Sequence, residues 1–142
     1  MQVETILQSK GRAVHTVSAA ATIGEAVELL NTRKIGAVVV TNDAGKVAGI
    51  LSERDVVRHL GKDWTSLASK PVSEVMTKDV VTMSRRATVA EVMERMTERR
   101  IRHLPIVDNG ELVGIVSIGD VVKRKIEEAE QEATALKEYI AS

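Results

Sequence analysis

The amino-acid sequence predicts a mixed α/β (α+β) protein made of two β-α-β-β-α repeats packed about a pseudo-two-fold axis, with an extended C-terminal helix. Three observations predict it. Residues 22–40, TIGEAVELLNTRKIGAVVV, align without a gap on residues 88–106, TVAEVMERMTERRIRHLPI, at a constant offset of 66. Each copy opens with a Thr-x-x-Glu pair ahead of apolar residues at helical spacing, and each continues with two short apolar runs around a turn. Internal self-similarity of this kind marks a duplicated supersecondary unit. Past the turn, where the second copy is one residue shorter, residues 49–57 align with 114–122 at an offset of 65. The repeats are therefore placed at residues 8–64 and 73–127, and a helical extension at 128–142.

The elements follow in order. A first strand is expected at Val14–Val17 and again at Val80–Met83, because Val14, Thr16 and Ser18 fall 66 residues ahead of Val80, Thr82 and Ser84. Thr22 with Glu25, and Thr88 with Glu91, have the spacing of a capping box, in which side chains satisfy free amides at a helix start. Ile23, Ala26, Val27 and Leu30, then Val89, Val92, Met93 and Met96, recur at i, i+3, i+4 and i+7, the period of amphipathic helices. Next come apolar runs at 37–40 and 103–107, turns at Asn42–Gly45 and Asp108–Gly110, and second runs at Val47–Leu51 and Leu112–Val116. Each set reads as strand, tight turn, strand. A last helix begins near Ser52 or Ser117. Gly61–Pro71 has turn residues and no apolar period, and reads as a linker. Beyond Asp120 the final helix runs on with Val122, Ile126, Ala129, Ala133, Leu136 and Ile140 on one side. That stripe either packs on a partner subunit or folds back on its own domain.

Composition narrows the function. A chain of 142 residues can bury roughly 70% of its unfolded surface, whereas half of it is too small for a comfortable core. The two copies are expected to form one body. With 20 Lys+Arg against 20 Asp+Glu, one Trp, one Tyr and no Phe, there is neither a field to hold a polyanion nor a platform for bases, so no nucleic-acid partner is expected. Zero Cys removes disulfides, iron–sulfur clusters, thiolate zinc sites and thiol nucleophiles. No apolar run approaches the roughly 20 residues that span a bilayer, and residues 1–12 lack the pattern of a signal peptide. A cytoplasmic protein with no membrane partner is expected.

Enzyme motifs are mostly missing. There is no Gly-x-x-x-x-Gly-Lys-Ser/Thr, Gly-x-Gly-x-x-Gly, His-Glu-x-x-His or Gly-x-Ser-x-Gly. His15, His59 and His103 are far apart, and none lies at helical spacing from another, so no metal site is expected. What stands out is Gly49-x-x-Ser52-x-x-Asp55, repeated as Gly114-x-x-Ser117-x-x-Asp120. Ser-x-x-Asp before an apolar run is itself a capping box. The same geometry suits a nucleotide, because a helix start with free amides and a hydroxyl attracts phosphate and a carboxylate accepts from both hydroxyls of a ribose. Spacing leaves both readings open.

The repeat, the segments Lys34-Ile-Gly-Ala-Val-Val-Val40 and Arg100-Ile-Arg-His-Leu-Pro-Ile106, and the two Gly-Ile-Leu/Val-Ser-x-x-Asp motifs resemble a tandem pair of cystathionine-β-synthase (CBS) domains, a Bateman module. The resemblance spans about residues 8–127 and is nearest to small stand-alone members of the family. It implies a flat module with two clefts for adenine nucleotides such as AMP, ADP, ATP or NAD(H). Carried over by position, one cleft would have Asp55 on the ribose and Ser52 and Arg54 toward phosphate, with Val81, Ile101, Arg102, His103 and Pro105 around the base. The other would have Asp120 on the ribose and Ser117 and Gly119 toward phosphate, with His15, Ile35, Gly36 and Ala37 around the base. Lys10 and Arg12 could reach a phosphate of that second cleft. With almost no aromatic residues, adenine would be sandwiched by aliphatic side chains.

The copies are not equal. Arg54 stands where the second copy has Gly119, and Arg102 and His103 stand where the first has Gly36 and Ala37, so different ligands or affinities are expected. The resemblance implies a non-catalytic nucleotide sensor of energy or redox state that acts on a downstream protein, together with a homodimer as its assembly. No metal is expected to be needed for folding. The alternatives are a structural dimerisation module with degenerate sites, and an enzyme acting on a bound nucleotide with His103 or His15 as its base.

Overall fold

The computed structural model describes residues 1–11 and 14–141. In chain order the elements are α1 (Val3–Lys10), β1 (Thr16–Ser18), α2 (Ile23–Arg33), β2 (Ala37–Thr41), β3 (Val47–Ser52), α3 (Glu53–His59), α4 (Trp64–Ala68), α5 (Val89–Arg99), β4 (His103–Asp108), β5 (Glu111–Ser117) and α6 (Ile118–Ala141), with a short 3-10 turn at Val72–Glu74. The mixed fold predicted from the repeat is present, and so is the long final helix. Contacts divide the chain into two units. The first-repeat unit is drawn from residues 13–81 and 109–112, and the second-repeat unit from 1–12, 82–108 and 113–142.

In the first-repeat unit, β1 pairs parallel to β2 with Thr16 opposite Val39, and β2 pairs antiparallel to β3 with Ala37 opposite Ser52. Being the middle strand, β2 is buried from Ala37 through Val40, and a continuous apolar run is what a strand covered on both faces requires. Ile23, Ala26 and Leu30 of α2 pack with Val38, Val40 and Leu51, and Leu67, Val72 and Val75 complete the cluster. Thr22 caps α2 by accepting from the Glu25 amide at 3.2 Å. Lys34 then ends the helix in a left-handed conformation, φ 54°, which turns the chain into β2.

The second-repeat unit repeats this plan. Thr88 and Glu91 form the full reciprocal capping box, Val89, Val92 and Met96 are buried along α5, and Arg100 takes the same left-handed turn at φ 55°. Asn109 and Gly110, both with positive φ, make the tight connection from β4 to β5 that such a two-residue loop demands.

Three expectations need correction. The strand expected at Val80–Met83 is reduced to a single parallel bridge, Met83 with Ile106. The Met83 amide donates to the Pro105 carbonyl and the Val107 amide to the Met83 carbonyl, but the next rung back would need an amide on Pro105, which proline lacks. The presumed linker 61–71 is instead built in. Asp63 caps α4, Leu67 is fully buried, and the following Val72 is too. Finally, residues 1–10, which showed no element in the sequence, form α1 with Val3, Ile6 and Leu7 buried.

The last two corrections share one cause. Val3–Leu7 and Val72–Met76 are equivalent leaders, one ahead of each repeat, at an offset of 69 rather than 66. The Val3 amide donates to the Ala87 carbonyl at 2.8 Å, as the Val72 amide does to that of Ala21 at 2.7 Å, and Glu4 on Arg85 matches Ser73 on Ala19. Each leader thus completes the body of the other repeat. The motif glycines mark where: a Cβ on Gly114 would run into Leu7, and one on Gly49 into Met76 and the Thr77 carbonyl.

Helix α6 is unbroken for 24 residues. Val121 is buried, but Val122, Ile126, Leu136 and Ile140 are 39%, 52%, 59% and 74% exposed. The stripe does not fold back on its own domain.

Candidate functional site

Both Ser-x-x-Asp motifs fold as strand-to-helix junctions of one design. At the end of β3 the Ser52 amide donates to Asp55 Oδ2 at 2.9 Å, the Ser52 hydroxyl donates to the same oxygen at 3.1 Å, and the Asp55 amide donates back to Ser52 Oγ at 3.2 Å. At the end of β5 the Ser117 amide donates to Asp120 Oδ2 at 2.9 Å, and the Asp120 amide to Ser117 Oγ at 3.2 Å. The capping-box geometry is therefore real in each. It fixes the carboxylate rather than consuming it, since an ionised carboxylate has about four acceptor positions.

The segments expected around a base each lie beside the junction of their own repeat. After the left-handed turn at Lys34, the Gly36 carbonyl accepts from the Glu53 amide at 3.0 Å; after that at Arg100, the Arg102 carbonyl accepts from the Ile118 amide at 2.8 Å. Within each unit the structure thus brings Gly36 to Ser52 and Asp55, and Arg102 to Ser117 and Asp120. Two of the first three amides of each helix are already engaged in this way, so a bound phosphate would depend more on side-chain cations than the sequence reading supposed.

The remaining candidates are placed as follows. Ile35, Gly36, His15 and Val81 are half-buried, and Ala37 is buried, in the first-repeat unit; Arg54 is exposed on α3. In the second-repeat unit Pro105 is buried, Ile101 and His103 are half-buried, and Arg102 and Gly119 are exposed. A Cβ on Gly119 would meet only the Ser117 hydroxyl, at an ordinary 3.6 Å. Arg12 lies outside the described residues.

What faces each carboxylate differs; of the two facing groups, sequence reasoning singled out Lys10, toward a phosphate of the second cleft, and missed Thr77. Thr77 Oγ1 donates to Asp55 Oδ1 at 3.3 Å. At Asp120 the neighbour is charged: Lys10 Nζ lies 2.8 Å from Oδ2 and 3.0 Å from the Ile115 carbonyl. Burial pushes the Asp120 carboxyl up, but the bond from Lys10, the Ser117 amide and the lysine charge together outweigh it and hold the group below the ordinary carboxylate range. Thr77 directly follows the leader Val72–Met76, so the 69-residue alignment was the signal that could have drawn attention to it. Among the described residues no group of three or more His, Asp or Glu is placed to hold a metal, and no helix is long and apolar enough to cross a membrane.

Two copies of one α/β unit, each carrying a Ser-x-x-Asp junction, define a tandem-repeat protein with one motif per repeat. The chain belongs to the CBS domain family, whose model matches residues 10–62 and again 72–127. It is similar to the crystal structure of the CBS-domain protein ATU1752 from Agrobacterium tumefaciens, at 46% identity and a TM-score of 0.83, over 87% of this chain and 92% of that one. It is also similar to the CBS domain pair of MJ0100, crystallised with 5′-methylthioadenosine and S-adenosyl-L-methionine, at 26% identity and a TM-score of 0.79, covering 90% and 98%. Among sequence relatives, the Arabidopsis thaliana CBS domain-containing protein CBSX3 is 34% identical over 84% of this chain, and the match takes in 60% of that protein's length.

Proposed function

We infer that this protein is a non-catalytic regulatory module that binds adenine nucleotides, AMP, ATP or NAD(H), and reports energy or redox state to a partner protein. The reading is carried by one observation: the same helix-start carboxylate, held by its serine amide, is built twice in a chain similar to a CBS pair crystallised with two adenosine derivatives. Asp55 and Asp120 would accept from ribose hydroxyls. Ser52, Arg54, Ser117 and Gly119 would lie toward phosphate, and the segments at 35–37 and 101–105, with His15 and Val81, toward the base. Regulation then requires only that the ligand prefer one arrangement of the chain over another. The exposed apolar stripe of α6 supports a homodimer as the working assembly.

The test is a thermal-shift panel on protein stripped of co-purified ligand, with AMP, ADP, ATP, NAD, NADH, S-adenosylmethionine and GTP. A ligand at about 100 times its dissociation constant adds about 2.7 kcal/mol, roughly 5–10 °C for a chain of this size. Shifts confined to adenine compounds are expected. No shift with any of them would favour a structural dimerisation module, and turnover of a bound nucleotide would favour an enzyme.

A further inference from the structure

The two junctions share a backbone design but present different chemistry to a ligand. Asp55 faces a neutral hydroxyl, that of Thr77. Asp120 faces the ammonium of Lys10, delivered by the last turn of α1. Beside that pair, between α1 and α6, is a cleft of about 240 Å³ lined by Ser9, Lys10, Asp120, Lys123, Arg124 and Glu127, among others. It holds three cations against two carboxylates. Arg124 is already paired with Glu127 at 3.0 Å. Pockets for whole small molecules start near 300 Å³, so this cleft has room for the charged end of a nucleotide rather than all of it.

We propose that Lys10 is the specificity-determining residue of the Asp120 motif, which it reserves for phosphorylated ligands. The proposal rests on the nucleotide reading above and deepens it. A ribose diol reaching Asp120 donates its hydroxyls to the carboxylate and displaces the ammonium. The freed lysine, still anchored on α1 beside Lys123, then meets the phosphates that the same ligand carries. A nucleoside without phosphate breaks the Lys10–Asp120 pair and gives the lysine, left with the Ile115 carbonyl, no anion in exchange; a nucleotide replaces one ion pair by another. At Asp55 no such exchange exists, because the Thr77 hydroxyl carries no charge to release. The helix amides offer little instead of the lysine, since two of the first three, those of Ile118 and Asp120, are engaged by the Arg102 carbonyl and the Ser117 hydroxyl.

Calorimetric titration of the full, ligand-stripped chain with adenosine, AMP and ATP tests this in an Asp55→Ala background, which leaves Asp120 as the remaining ribose site. There, ATP is expected to bind up to about 5-fold more tightly than adenosine, a preference that shrinks with added salt. Adding Lys10→Met removes the preference and leaves adenosine binding unchanged or tighter, whereas Lys10→Arg retains it. A Lys10→Met chain that keeps the ATP preference, or that loses adenosine and ATP by the same factor, overturns the assignment while the nucleotide reading stands. If the unaltered chain binds neither adenosine nor ATP, the nucleotide reading itself fails and the role of Lys10 falls with it. Melting curves for each variant separate lost affinity from lost fold.

Discussion

At the residue scale, the glycine that opens each motif is set by a neighbour rather than by a ligand. Gly49 lies under Met76 and the Thr77 carbonyl, and Gly114 under Leu7. At Gly114 the obstacle is the end of a side chain, which can give by repacking, whereas at Gly49 it includes the Thr77 carbonyl, tied to the Ile50 amide at 3.0 Å. Gly49→Ala is therefore expected to cost about 1–3 kcal/mol, as overpacking does, and Gly114→Ala distinctly less; denaturant unfolding of both variants checks the order. The Lys10–Asp120 pair makes a second prediction. Because the folded Asp120 carboxyl sits below its ordinary value, its contribution is complete above the unfolded pKa of about 3.9 and is lost as pH falls through the lower, folded value. Both partners are partly exposed, so the pair is worth no more than about 1 kcal/mol. The difference in melting temperature between the natural chain and Lys10→Met should be visible at pH 6 and shrink as the pH falls below about 3.9. Ser52, Asp55, Ser117 and Asp120 were legible in the sequence because a capping box is local, three residues from end to end. Thr77 was not, and Lys10 was placed toward a phosphate rather than on the carboxylate, since the two lie 22 and 110 residues away.

At the element scale, α2, α5 and the strands that follow them were legible for a common reason. Each is long enough for its apolar period to show, and each occurs twice in register. Helix α4 has five residues and α1 eight, too few for a period to rise above chance, and the leaders fall outside the register of the repeat because their offset differs by three from that of the helices. The strand at 80–83 failed for a chemical reason: Val80, Thr82 and Met83 suit a strand, but the donor it needs is missing across the gap at Pro105. Leu67 carries the correction on α4 in a testable form. It is 2% exposed, so Leu67→Ala should cost about 2–5 kcal/mol, a loss no linker residue would produce. The far half of α6 makes the opposite prediction. Leu136→Lys with Ile140→Lys should leave the melting temperature of the isolated chain nearly unchanged, yet convert dimer to monomer in sedimentation if the exposed stripe is where two copies meet; a dimer that survives places the interface elsewhere.

At the scale of the whole molecule, the reciprocal leaders decide what a repeat is. By sequence it is a continuous stretch, but by packing it is a body closed with the other repeat's leader, so cutting the chain between residues 64 and 73 does not yield two complete pieces. Removing residues 1–11 is expected to unfold the second-repeat unit, which loses Val3, Ile6 and Leu7, while the first-repeat unit, to which α1 does not belong, keeps its amide protection in hydrogen exchange. The same arrangement imposes a schedule on synthesis. Nearly all of the first-repeat unit has left the ribosome once residue 81 has, and it can condense while the rest is still being made. Helix α1, which emerges ahead of both repeats, must wait for the second: its lysine meets a partner 110 residues downstream. For most of translation its apolar face, Val3, Ile6 and Leu7, is therefore an unsatisfied end, and this is the stretch where a chaperone or a second nascent chain would find purchase.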